Sequence, residues 1–206
     1  MWLATDIKEF EAIDELEKGA SDRTLGVVAG AIIDSKLSDV LRRALGDDTP
    51  YSKKVRAEIF NPDGPLGSFG SRIGIAYLLG LLSEKGHTDL QTFKKIRNLF
   101  AHYAEHGTFK SQRIRDLCKN FLLVDERVSD QLIVRRNVGE DGIPEIEVAI
   151  DAAVIEIESK TMSIGLKKKD DDCSDPKWRF VSSSKLFCAV LDTYLRDPTA
   201  LKAPIL

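Results

Sequence analysis

Apolar positions recur at helical intervals through the first two-thirds of the chain. Phe10, Ile13 and Leu16 form one stripe, which Gly19 closes as a C-cap candidate. Ser21 and Asp22 offer N-cap chemistry for a second helix. Its stripe of Leu25, Val28, Ile32, Leu37 and Leu41 runs to about Ala44. Gly26 and Gly30 lie four apart on that helix. Each costs up to about 1 kcal/mol against alanine, so the pair predicts a neighbouring element packed close to it.

GDDTP (46–50) breaks this helix, and a shorter amphipathic piece follows around Lys53–Phe60. NPDGPLGSFGSR (61–72) reads as a turn-rich loop, with Ser68 placed to cap the next helix. RIGIAYLLGLLSEKG is apolar almost all round, which predicts a central core helix ending at Gly86. Asp89 is then expected to cap a helix that buries Leu90, Phe93, Ile96 and Phe100, and a further helix is expected from Ser111 to Leu123. His87 and His106 fall in expected loops.

After Val124 the pattern changes. QLIVRRNVGEDGIPEIEVAI (131–150) holds two β-branched runs around a Gly/Asp-rich turn, which suggests a hairpin. Ile146, Ala149, Ile150, Ala153, Val154 and Ile157 also fit helical spacing, with Pro144 suited to a helix start, so both readings stand. KKKDDD (167–172) cancels its own charge and reads as an exposed loop. From Arg179 a closing helix should turn Leu186, Val190 and Tyr194 inward. The expected fold class is therefore mainly α, a helical bundle with a small β-hairpin insertion before the last helix. The expected units are a bundle core (1–124), an insertion (125–176) and a closing helix (177–206).

Composition adds little to this and excludes some classes. The 206 residues are 43% apolar and 31% charged, as ordinary globular chains are. A net charge of −3 argues against a chain built as a whole to coat nucleic acid. Cys118, Cys173 and Cys188 share no metal spacing and read as buried thiols; neither a metal nor another cofactor is expected. MWLATDIKEFEAIDEL carries acids where a secretory signal carries bases and an apolar stretch. The longest low-polarity run, Gly74–Leu82, is far short of the ~20 residues that span a bilayer. A cytoplasmic protein with no membrane contact is expected.

Chemistry concentrates in KKIRNLFAHY (94–103). Asn98 and His102 are four apart and share a helix face, so the amide can orient the imidazole. Arg97 and His102 are five apart, about 140° around the axis, so a joint site needs a bridging ligand or a second copy of the helix. Between Gln91 and Asn120, seven bases outnumber two acids. Lys94, Lys95, Arg113, Arg115 and Lys119 are thus a candidate basic patch for a phosphodiester or an acidic partner, or else a solvated face. In a chemical reading His102 moves a proton from a ribose 2′-hydroxyl while Arg97 neutralises phosphate charge. In a structural reading, which base rates favour, Arg97 reaches an acid such as Asp22 and His102 caps or bridges inside the core.

Three stretches, SDRTLGVVAGAIIDSKL (21–37), PLGSFGSRIGIAYLLGLL (65–82) and KKIRNLFAHY (94–103), resemble the mannitol operon repressor family in order and spacing. The likeness covers roughly residues 8–124, and the closing helix resembles that family's last one. It implies an all-helical regulator of transcription without a recognisable DNA-reading motif. Within these stretches Asp22, Arg23 and Arg72 are candidates for structural or binding roles. RNxxxH also resembles the signature of the HEPN superfamily, helical domains that include metal-independent ribonucleases of toxin and antiviral systems. That likeness implies Arg97 and His102 as a catalytic pair, Asn98 as their positioning residue, and motifs meeting across a dimer. Many members of that superfamily are inactive binding modules.

The leading expectation is a non-enzymatic regulator that acts through a protein partner or a homodimer. No helix pairs a turn glycine with an exposed basic recognition face, so sequence-specific DNA contact is not expected. The alternative is a HEPN-type ribonuclease acting on RNA.

Overall fold

Small polar side chains set where the helices begin. The computed structural model describes residues 8–103, 107–127, 152–157, 160–165 and 174–196. Among them run α1 (Lys8–Gly19), α2 (Asp22–Ala44), α3 (Pro50–Ile59), α4 (Phe69–Leu78), α5 (Glu84–His102), α6 (Gln112–Lys119) and α7 (Leu122–Arg127). The antiparallel strands β1 (Ala152–Ile157) and β2 (Lys160–Gly165) come next, with Val154 opposite Ser163, and α8 (Pro176–Arg196) comes last. Ser21, Thr49, Ser68 and Ser83 cap α2, α3, α4 and α5. Each accepts from the amide three residues on, at 3.1–3.2 Å, and each such cap contributes about 1 kcal/mol.

The architecture is mainly α, as the hydrophobic pattern predicts, with several boundaries moved. Ser83, not Asp89, starts α5, and Gly86 lies inside its first turn. The preceding helix has already stopped at Leu78, where Gly80 takes the left-handed φ of 72° that a glycine adopts without strain. α4 is also not the central helix. It buries Phe69, Ile73 and Ala76, while Tyr77, Leu78 and Leu79 are exposed. His87 belongs to α5 and sets its ring 5.0 Å from that of Tyr77. The expected Ser111–Leu123 helix is broken at Asn120 and Phe121 into α6 and α7. The hairpin expected over 131–150 lies outside the described residues. Residues 152–157 are strand, against the helical alternative that included Ala153, Val154 and Ile157.

The centre belongs to α8, buried on nearly every side from Arg179 to Leu191, with Leu186, Val190 and Tyr194 inward as expected. Phe93 of α5 meets Phe121, Phe180 and Phe187 at ring distances of 4.7, 5.0 and 5.7 Å. Phe109 links Phe100 (5.0 Å) to Phe180 (5.2 Å). Such aromatic pairs add about 0.5–1.5 kcal/mol each beyond their buried area. Lys36 of α2 ties α1 to α8 through Glu9 (3.1 Å) and Asp192 (3.3 Å). Cys118 and Cys188 are buried free thiols, and burial pushes both up to about 12. Cys173 and His106 lie outside the described residues. No described helix is long and apolar enough to cross a membrane.

The glycine pair does what its cost implies. A Cβ on Gly26 would stand 2.1 Å from the Phe100 ring, and one on Gly30 would stand 3.0 Å from Arg97 Cβ. Two buried ionic residues fix the far end of the bundle. Asp89 accepts from the amides of Leu122 (2.9 Å) and Leu123 (3.0 Å), capping α7 rather than its own helix. Arg179 donates to the carbonyls of Cys118 and Phe121, both at 2.8 Å, and to both oxygens of Asp125.

These contacts make the helix packing and the buried acid testable. Gly26→Ala must push an aromatic ring 2.1 Å away, whereas Gly30→Ala meets the Arg97 stem at 3.0–3.1 Å, where a few tenths of an ångström suffice. Gly26→Ala is expected to lower stability by about 3 kcal/mol, the upper part of the overpacking range, and Gly30→Ala by clearly less; urea melts of both variants check this. The buried acid brings in pH. Burial pushes the Asp89 carboxyl up to about 6, against the pull of the two amides and Arg179, with Asp125 adding to the push. The folded chain therefore binds this proton more tightly than the unfolded chain, where the ordinary value is 3.8. Asp89's contribution to stability is expected to rise as pH falls through 6 and to level off below about 4. The difference in unfolding free energy between wild type and Asp89→Asn, measured across that window, isolates this contribution.

Candidate functional site

Helix geometry distributes the polar residues of α5 to different neighbours. α2 and α5 run antiparallel in close contact: Phe100 lies over Gly26 and Arg97, one turn earlier, over Gly30. The next residue on that face of α2 is Asp34, and the Arg97 guanidinium reaches its Oδ2 at 3.5 Å. Asp34 is held more firmly by Arg72 of α4, which donates to Oδ1 from Nε (2.9 Å) and pairs with it through Nη2 (2.7 Å). Arg72 also donates through Nη1 to the carbonyls of Leu66 (2.7 Å) and Gly67 (3.2 Å). One carboxylate thus joins α2, α4, α5 and the loop before α4. The side chains of Asp34 and Arg72 are 13% and 12% exposed, while that of Arg97 is 32% exposed, so the Arg72 pair is the desolvated one.

The acid that Arg97 meets is therefore Asp34 and not Asp22. Asp22, in the first turn of α2, accepts from the Phe109 amide (3.0 Å) and pairs with Lys177 Nζ (3.4 Å). Its neighbour Arg23 donates to the Tyr103 carbonyl at 3.0 Å, satisfying a group at the C-terminal end of α5. Asp22 and Arg23 together pin the chain on either side of residues 104–106.

Asn98 points elsewhere. It lines a groove of about 400 Å³ with Lys95, Leu99, Tyr103, Arg113, Asp116, Leu117 and Asn120. His102 is exposed at the last residue of α5, not inside the core, and neither it nor Arg97 lines that groove. The candidate basic patch divides in the same way. Lys95 and Arg113 line the groove, Lys94 extends towards Gly70 of α4, and Arg115 and Lys119 are exposed outside it. Sequence reasoning missed Asp34, Tyr103, Asp116 and Asn120. Asp34 had a signal: it comes after Gly26 and Gly30 at the same four-residue interval, on the face where a close neighbour was expected. Among the described residues no group of His, Cys, Asp and Glu could hold a metal ion.

The helical bundle thus holds its central polar residues by internal pairs and presents a mixed polar groove between α5 and α6. Residues 8–144 match the family model described as mannitol repressor, and the chain belongs to that family. The match continues past Val124, where the resemblance read from the sequence stopped. No curated protein and no solved structure matches the chain.

The unequal burial of the two arginines gives a prediction. Arg72→Ala strips Asp34 of its desolvated partner and frees the 66–67 carbonyls, so it is expected to cost about 3 kcal/mol. Arg97→Ala removes a longer, partly solvated contact and is expected to cost about 1 kcal/mol or less. Melting temperatures of the two variants, read beside Asp34→Ala, test the order.

Proposed function

We propose that this protein is a non-enzymatic regulator of transcription that acts in the cytoplasm through contacts with a protein partner or a second copy of itself. The observation that carries the proposal is the division of the RNxxxH set. Arg97 turns to Asp34, Asn98 to the α5–α6 groove, and His102 to solvent at the helix end. A proton-transfer site needs its groups on one reacting atom, and here each is committed to a different surrounding. Membership of the mannitol repressor family supports the regulatory reading.

A second reading, a metal-independent HEPN-type ribonuclease, draws support from the exposure of His102 and Asn98 and from the solvent-facing third of Arg97. Such an enzyme would assemble its site across a dimer. One comparison separates the two readings. In cells lacking the protein, transcript levels are measured before and after restoring wild type, Arg97→Ala or His102→Ala. In parallel, the purified chains are incubated with labelled RNA in EDTA. The regulator reading expects transcripts changed by the loss, full restoration by His102→Ala and no cleavage. Cleavage abolished by both substitutions with the fold intact overturns it in favour of the nuclease, and unchanged transcripts overturn it outright.

A further inference from the structure

The groove between α5 and α6 is built from matching faces of two helices. α5 contributes Lys95, Asn98 and Leu99, and α6 contributes Arg113, Asp116 and Leu117, each set at i, i+3 and i+4. The C-caps close the ends. Tyr103 leaves the helix in an extended conformation (φ −119°, ψ 114°) and lines the groove together with Asn120. Leu99 is buried and Leu117 half-buried, which gives the groove an apolar floor. Its volume of about 400 Å³ lies within the range of small-ligand sites.

The chemistry of this lining is specific in combination. Lys95 and Arg113 are exposed cations on separate helices, and neither has an acid partner among the described residues. Asp116 accepts from the Gln112 amide through Oδ1 at 2.7 Å, which fixes its carboxylate. A bare anion would leave that carboxylate repelling it. An uncharged sugar would leave two cations unmatched. An acidic peptide would set its carboxylates against that of Asp116. A ligand with a phosphate, a vicinal diol and a planar ring meets every group.

We infer that this groove binds a free nucleoside monophosphate. Its phosphate sits between Lys95 and Arg113 in charge-assisted hydrogen bonds. Its ribose hydroxyls donate to Asp116, and its base stacks on Tyr103 with the Asn98 and Asn120 amides at the base edge. The inference goes beyond the regulatory proposal and does not depend on it, because it concerns binding alone.

The test is calorimetric titration of the full chain with the four ribonucleoside monophosphates, adenosine, inorganic phosphate, dAMP and a short oligoribonucleotide. At least one monophosphate is expected to bind with Kd below about 1 mM. Adenosine and inorganic phosphate are each expected to bind at least about tenfold more weakly. Arg113→Ala and Tyr103→Ala are expected to weaken monophosphate binding about tenfold or more, with circular dichroism showing the fold retained. Asp116→Ala is expected to bring AMP and dAMP to equal affinity. Lys95→Ala serves as the second cation variant should Arg113→Ala fail to fold. The inference is overturned if no monophosphate binds, or if the folded variants bind as wild type does. It is also overturned if only the oligoribonucleotide binds, which would make the face a strand-binding surface.

Discussion

The absence of a Cβ at Gly26 decides how closely α2 and α5 can approach, and most of the described arrangement depends on that approach. Phe100 fills the space at Gly26, and the Arg97 stem lies across Gly30 one turn on. Each glycine costs the helix about 1 kcal/mol relative to alanine, and burying a phenylalanine returns about 1.5–3 kcal/mol, so the contact is favourable only when the ring seats fully. Phe100 is completely buried. With the two axes fixed, Asp34 lies within reach of both Arg97 and Arg72, and Arg72 in turn anchors the loop before α4. A backbone-level contact therefore positions an ionic one, and the ionic one positions a third helix.

The rotation of α5 that this contact fixes also decides what its other faces present. With Arg97 turned to α2, Asn98 and Lys95 must look towards α6. The position of α6 and of the α7 start is set from the opposite side. Arg179 collects the carbonyls at the end of α6, and Asp89 takes the first amides of α7. Asp22 holds Phe109 and Arg23 holds Tyr103, between α5 and α6. The groove walls are thus held by side chains that do not themselves line the groove, which lets its lining residues be polar and exposed without loosening the bundle.

What could be read from the sequence depended on the range of the interactions involved. Ser21 and Ser68 work within a turn of their own position, and their roles were legible. So was the crowding at Gly26 and Gly30, because a glycine cost inside a helix requires compensation nearby. Asp89 looked like a cap and is one, but for a helix more than thirty residues away, which no local pattern records. The apolar run from Gly74 to Leu82 looked central because composition reports what a segment could bury and not what covers it; Leu78 is 78% exposed. The surroundings of the candidate site residues were less legible than the helices that carry them. RNxxxH is compact in sequence, yet Arg97 and Asn98 are neighbours on a helix and so point about 100° apart.

That divergence bears on whether Arg97 has an obligatory structural role. Asp34 has two partners, and Arg72 alone supplies it with a hydrogen bond at 2.9 Å and an ion-pair contact at 2.7 Å. The 3.5 Å contact to Arg97 adds charge balance more than directional bonding. Loss of this contact then costs little in stability, because the stem seated on Gly30 still packs against α2. A fully buried, bidentate arginine would be locked into assembly by its own desolvation. Arg97 is held by its stem and more loosely by its charge, so packing fixes its aliphatic part while about a third of the side chain faces solvent.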